Sequence, residues 1–151
     1  MAETDIRLAL GHQRFRPVYQ TATKSRRLPR AQGKSRHLED FDLIDGRDNL
    51  GQALVIRLLT PRGELAALGH PQYGSRLHEL IGEVNTETTR NLVKLYILEA
   101  VARESRVAEV LGLKVSPDPF NKSAVTVEME VRPAGEQSGL VIGPLTLRLE
   151  P

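Results

Sequence analysis

The chain has 151 residues, 40% of them apolar, 26% charged and 4% aromatic, with neither Cys nor Trp. That length and composition predict one globular domain whose core is built from Leu, Val, Ile and Ala. Without cysteine there can be no disulfide framework and no thiolate metal site, and no apolar run approaches the ~20 residues of a membrane span. A cysteine-free chain whose first 17 residues lack an apolar h-region is expected to fold in a reducing cytoplasm and not to be secreted.

The net charge of +2 hides an asymmetry. Residues 1–38 hold nine basic side chains, including Arg26, Arg27 and Arg30, against Glu3 and Asp5, a net +7. Residues 39–151 hold twelve basic and seventeen acidic side chains, a net −5. The apolar residues of 1–40 show no sustained period, and Thr21–Arg36 is almost wholly polar. Such a segment cannot bury enough surface to offset its ordering entropy, so 1–40 reads as an extended basic arm joined to an acidic body over 41–151.

In the body, Asp48 is the expected N-cap of a helix ending near Leu59, with Leu50, Ala53, Leu54 and Leu58 on one face. Pro61 disfavours helical geometry at Thr60, and Gly63 permits the turn that follows. Residues 66–74 read as a loop, after which Ser75 caps a short helix over Arg76–Ile81 closed by Gly82. Asn85 or Thr86 caps the longest helix, about 87–104. It is apolar on almost every side, which predicts burial against more than one surface.

The period then changes from 3.6 to 2. Val125, Val127, Met129 and Val131 alternate with Ala124, Thr126, Glu128 and Glu130, and Leu145, Leu147 and Leu149 alternate with Thr146, Arg148 and Glu150. Val107–Val115 is a further strand, interrupted by Gly112. Arg132–Gly139 is a turn joining the other two as an antiparallel hairpin. The expected fold is α+β, with helices packed on one face of a small C-terminal antiparallel sheet.

Motifs for catalysis and metal binding are scarce. A glycosidase needs two carboxylates across a cleft, one of raised pKa. Glu64 with Glu79 or Glu83 is the available pair, and the sugar-stacking aromatics are few. His12, His37, His70 and His78 fit no zinc spacing. Ser75 follows Gly74 but sits in no G-x-S-x-G elbow, and there is no phosphate-binding glycine loop. Phe15 and Tyr19 in the arm would permit weak base stacking beside its arginines, so a nucleic-acid-binding adaptor is one reading. Contact with acidic protein surfaces is favoured, because the arm's charge complements the body's own.

Three segments in order carry a resemblance: Leu58-Leu59-Thr60-Pro61-Arg62-Gly63-Glu64, then His70-Pro71-Gln72-Tyr73-Gly74-Ser75-Arg76-Leu77, then a long helix ending Glu104-Ser105-Arg106. Over about residues 42–150 the chain resembles the baseplate sheath initiators of contractile phages, also called lysozyme-like baseplate wedge proteins. Type VI secretion systems and extracellular contractile injection particles carry relatives. The family's L-L-T-x-x-G-E and P-x-[FY]-G-S patterns match. Its Glu-Pro-Arg triplet is matched except that Ser105 stands in place of Pro. Gly63, Gly74 and Ser75 have fold-making roles in such turns.

The resemblance implies a structural protein and no enzyme, with no cofactor. It would serve within a phage tail, secretion system or released particle assembled in the cytoplasm. The expected partners are baseplate wedge subunits and sheath protein, with inner-tube or hub proteins as further candidates, and copies would follow the baseplate's symmetry. The C-terminal strands would accept sheath strands by main-chain hydrogen bonding. Glu104 and Arg106 read either as a solvated ion pair or, as the resemblance implies, as a partner contact in which Glu104 accepts from the partner or holds Arg106 in place.

Overall fold

The computed structural model describes residues 4–6, 8–13, 16–21, 23–27, 37–41 and 43–149, with side chains described over 44–149. Helices and strands alternate little. The N-terminal strands are β1 (Thr4–Ile6), β2 (Leu8–Gln13), β3 (Arg16–Thr21), β4 (Thr23–Arg27), β5 (His37–Phe41) and β6 (Leu43–Asp45). They pair antiparallel as β1 with β6, β2 with β3 and β4 with β5. The described part of the N-terminal segment is thus extended backbone in paired strands. Its apolar pattern did not predict them, because two-stranded ladders need no buried face to satisfy their backbone groups.

Helix α1 (Gly46–Leu59) begins two residues before the expected cap. Its N-cap is Asp45, and Asp48 lies in the first turn, where its charge still complements the helix dipole. The buried face carries Leu50, Leu54, Val55 and Leu58. Thr60 ends the helix, with its N–H and hydroxyl both donating to Ile56 O (2.9 and 2.8 Å). The following loop contains a 3-10 turn at Ala66–Leu68, and the expected short helix is a second one at Leu77–Leu80.

Helix α2 (Glu87–Val101) is capped by Thr86, whose Oγ1 accepts from Thr89 N at 3.1 Å. Asn85, the other cap candidate, instead donates from Nδ2 to the carbonyls of Lys122 and Ala124. One face of α2 supplies Val93, Tyr96, Ile97, Ala100 and Val101 to the core. Leu95 and Leu98 face outward and are exposed in the described structure, so burial against more than one surface is not what it shows.

The last three strands are β7 (Val107–Pro117), β8 (Ala124–Pro133) and β9 (Leu140–Arg148), an antiparallel sheet in the order β7-β8-β9. The helices lie on its inner face. Val125, Val127, Met129 and Val131 on β8, with Ile142 and Leu147 on β9, form one core with the α1 and α2 residues. Gly112 does not end β7. The strand continues through it with register shifts against β8 between Val107 and Glu109 and between Val110 and Gly112.

Candidate partner-binding site at the helix-to-strand junction

The loop after α1 folds back on itself. Arg62 N donates to Ser75 O and Ser75 N to Thr60 O, both at 2.8 Å, and Gly63 N donates to Tyr73 O at 3.4 Å. These bonds make Pro61 and Ser75 a parallel bridge. Gly74 has φ +100°, and a Cβ there would lie 2.5 Å from Thr60 O and 2.8 Å from Pro61 O. Gly63 has φ +87° but faces open space. Both glycines are required by backbone conformation, and only Gly74 also by close approach. The Ser75 hydroxyl is buried, donating to Leu58 O at 2.5 Å and accepting from Leu77 N at 3.3 Å.

That loop carries Tyr73 beneath Arg57, whose guanidinium carbon lies 4.5 Å from the ring centroid. Arg57 Nη2 donates to Glu104 Oε2 at 3.0 Å, and Arg106 Nε donates to Glu104 Oε1 at 2.9 Å. Glu104 is 7% exposed, while the Arg57 and Arg106 side chains are 13% and 32% exposed. Burial alone would raise the Glu104 pKa, but the bonds from Arg106 and Arg57 outweigh it and hold the carboxyl below its usual range. The carboxylate therefore joins α1 to the turn between α2 and β7, while Arg106 lies nearer the surface.

A second network runs alongside. Arg62 Nη1 donates to Glu99 Oε1 at 2.9 Å, Arg103 Nη2 approaches the same oxygen at 3.4 Å, and Arg103 Nη1 reaches Gln72 O. Hydrogen bonding from Arg62 is the main cause that keeps the Glu99 pKa low. Arg76 stacks over Tyr96 and makes two bonds to Glu79, lowering the Glu79 pKa.

All three sequence segments singled out for their resemblance thus converge. Glu104 and Arg106 touch each other, and Gly74 and Ser75 set the loop that brings Tyr73 to Arg57. Arg57 itself was missed, since nothing local distinguishes a helical arginine whose partner lies 47 residues away. Glu64 and Glu83 are exposed and do not join this network. His78 Nδ1 lies 3.2 Å from Ser75 O. Arg26 and Arg27 lie on β4, where only the backbone is described, and Arg30 lies outside the described residues, as do the side chains of His12 and His37.

The structure defines an α+β fold with an arginine–carboxylate network around buried Glu104 at the junction of α1, α2 and β7. No family model matches the chain, and no curated protein matches it. Among solved structures, the chain is similar to a protein of Geobacter sulfurreducens assigned as a tail lysozyme. The two are 25% identical over 68% of this chain and 89% of that one, with a TM-score of 0.53.

Proposed function

We propose that the protein is a non-enzymatic structural component of a phage-tail-like contractile machine, linking baseplate wedges to the sheath and templating its polymerisation. The observation that carries the reading is the convergence of the three motif segments at one junction, in a fold shared with a tail protein. The three-stranded sheet supports the second half of the proposal. Its outer strands present edges to which extended segments of sheath protein would add. β7 is the better acceptor: it runs 11 residues with proline only at its last position. β9 carries Pro144 within it, which has no N–H to donate. In this reading Glu104 holds Arg106, and Arg106 presents its guanidinium to a wedge subunit.

The neighbour's assignment as a lysozyme makes hydrolysis the rival. A general acid needs a raised carboxyl pKa, and the environments of Glu79, Glu99 and Glu104 all act the other way. Deleting the gene in its own host, then viewing purified particles by electron microscopy, tests the structural reading. Particles without sheaths, restored by the intact gene, are expected, and normally sheathed particles from the deletion strain would refute it. Purified protein should leave peptidoglycan turbidity unchanged. Clearing that disappears in Glu64→Gln or Glu79→Gln, with the fold intact, would establish the rival.

A further inference from the structure

We infer that two copies of this chain pair through the free edge of β7, antiparallel about a two-fold axis that passes between Leu111 and Gly112. Resting on the reading of β7 as the sheath acceptor, the pairing covers that edge in the free protein until a sheath strand takes it. Among the described residues β7 is an outer strand, paired with β8 and with no strand on its other side. An unpaired edge 11 residues long is a template for strand addition.

The charges on the edge identify the occupant. On β8, Glu128, Glu130 and Arg132 alternate with buried Met129 and Val131, so they face away from the core. Lys114, Gly112 and Glu109 stand opposite them in that order and share the outer face. Residues five apart in a regular strand would lie on opposite faces. The irregularity between Val110 and Gly112 leaves Leu111 with no opposite residue on β8 and brings Glu109 and Lys114 to one side. A two-fold axis normal to the sheet returns each residue to its own face. The shared face is therefore what lets Glu109 of one copy meet Lys114 of the other.

In that register both charges find partners twice over, because Glu109 of each copy lies opposite Lys114 of the other. Glu109 already pairs with Arg132, and Lys114 faces Glu128. The joined sheet then carries two rows of alternating charge, Arg132 and Glu109 of one copy followed by Lys114 and Glu128 of the other. On the inner face Val110 meets Leu113, both already packed against the core. Leu111, 44% exposed, meets Gly112, where an added Cβ would have nothing within 4 Å. An edge lysine and a bulge ordinarily discourage strand addition. Here they select the register: with the strands slipped by one residue either way, Lys114 meets Ala108 or Val110. The other outer strand, β9, offers no equivalent edge, since Pro144 interrupts its donors.

The test begins with the purified full-length chain, unsubstituted. Sedimentation over a concentration series should show a monomer–dimer equilibrium. A zero-length carbodiimide, which joins a carboxylate to an amine in contact with it, should give a covalent dimer. In a mixture of isotope-labelled and unlabelled chains, the peptide linking Glu109 to Lys114 should join a labelled half to an unlabelled one. Lys114→Glu and Glu109→Lys each place like charges opposite one another twice and should weaken the dimer at least ~10-fold. Mixed together, the two variants should form a heterodimer close to wild type in affinity, because each supplies the charge the other lacks. Monomer at every concentration, or a cross-link between chains that maps elsewhere, would overturn the inference. So would association that survives both reversals, as contact through the basic arm would, or a mixture no tighter than either variant alone. The cross-link needs no variant, so it remains decisive if a reversal disturbs folding. Failure of the sheath reading would look different: the deletion strain would make normally sheathed particles while the Glu109–Lys114 dimer still formed.

Discussion

Replacing Glu104 tests the junction most directly. Its carboxylate accepts from Arg57 and Arg106, and Arg57 is the more buried of the two, with Nε already buried without a partner. Glu104→Ala would leave that guanidinium desolvated and uncompensated. Breaking a buried pair from one side costs about 3–5 kcal/mol. The Arg106 half, with a side chain 32% exposed, adds at most ~1 kcal/mol. For a chain of this size the midpoint should fall by roughly 6–20 °C. Glu104→Gln, which keeps the volume and one acceptor oxygen, should cost about half as much. Thermal and urea unfolding followed by circular dichroism would measure both. A Glu104→Ala midpoint within about 2 °C of wild type would show that the cluster is solvated surface and that the argument from burial fails.

The pH dependence carries the same logic. The folded-state pKa of Glu104 is depressed, so its contribution is fully present above the unfolded carboxylate value and is lost as pH falls through the folded one. Wild type should therefore lose stability below about pH 4.3, and Glu104→Gln should show a flatter acid limb. The gap between the two should close as the solution is acidified. A gap that widened with acid would contradict the assignment.

Gly74→Ala should destabilise by more than ~2 kcal/mol, because strain at φ +100° adds to overlap with the Thr60 and Pro61 carbonyls, whereas Gly63→Ala should cost about 1 kcal/mol; urea midpoints would separate them. Ser75→Ala should cost about 1–3 kcal/mol, read the same way, since the carbonyl of Leu58 and the N–H of Leu77 lose their buried partner. Removing residues 1–38 should leave a cooperative thermal transition, because the core formed by the described side chains lies beyond them, while weakening attachment to the assembled particle. Attachment of the intact chain should also fall as salt rises.

What the sequence made legible is what local physics determines. Period-2 alternation placed β8 and β9, and its buried rows are the ones found in the core. The positive-φ turns at Gly63 and Gly74 follow from residue type. Thr86 and Asn85 were indistinguishable as caps, because the choice depends on the β7–β8 turn that Asn85 holds. The exposed stripe of Leu95 and Leu98 could not be separated from the buried face of Val93, Tyr96, Ile97, Ala100 and Val101, since both are apolar. Arg57 had no signal of its own. Long-range partners are invisible to periodicity, and that is where the site residues are hidden.

Ser105 stands where the sequence resemblance expects proline, which bears on how the junction keeps its shape. Proline would restrict the backbone between Glu104 and Arg106 covalently. Here the same turn is bounded by hydrogen bonds: Glu104 N to Val101 O at 2.9 Å, Val107 N to Glu104 O at 3.0 Å, and Arg106 N to the Glu104 carboxylate at 3.4 Å. All three bonds are local, and the Glu104 carboxylate adds a tertiary tie to α1 through Arg57. Of the three, the bond from Arg106 N is the one that uses the carboxylate, which also pairs with Arg57. On the proposed reading one buried carboxylate secures the fold and aims Arg106, so loss of Glu104 should disturb stability and partner contact together, and loss of Arg106 chiefly the contact.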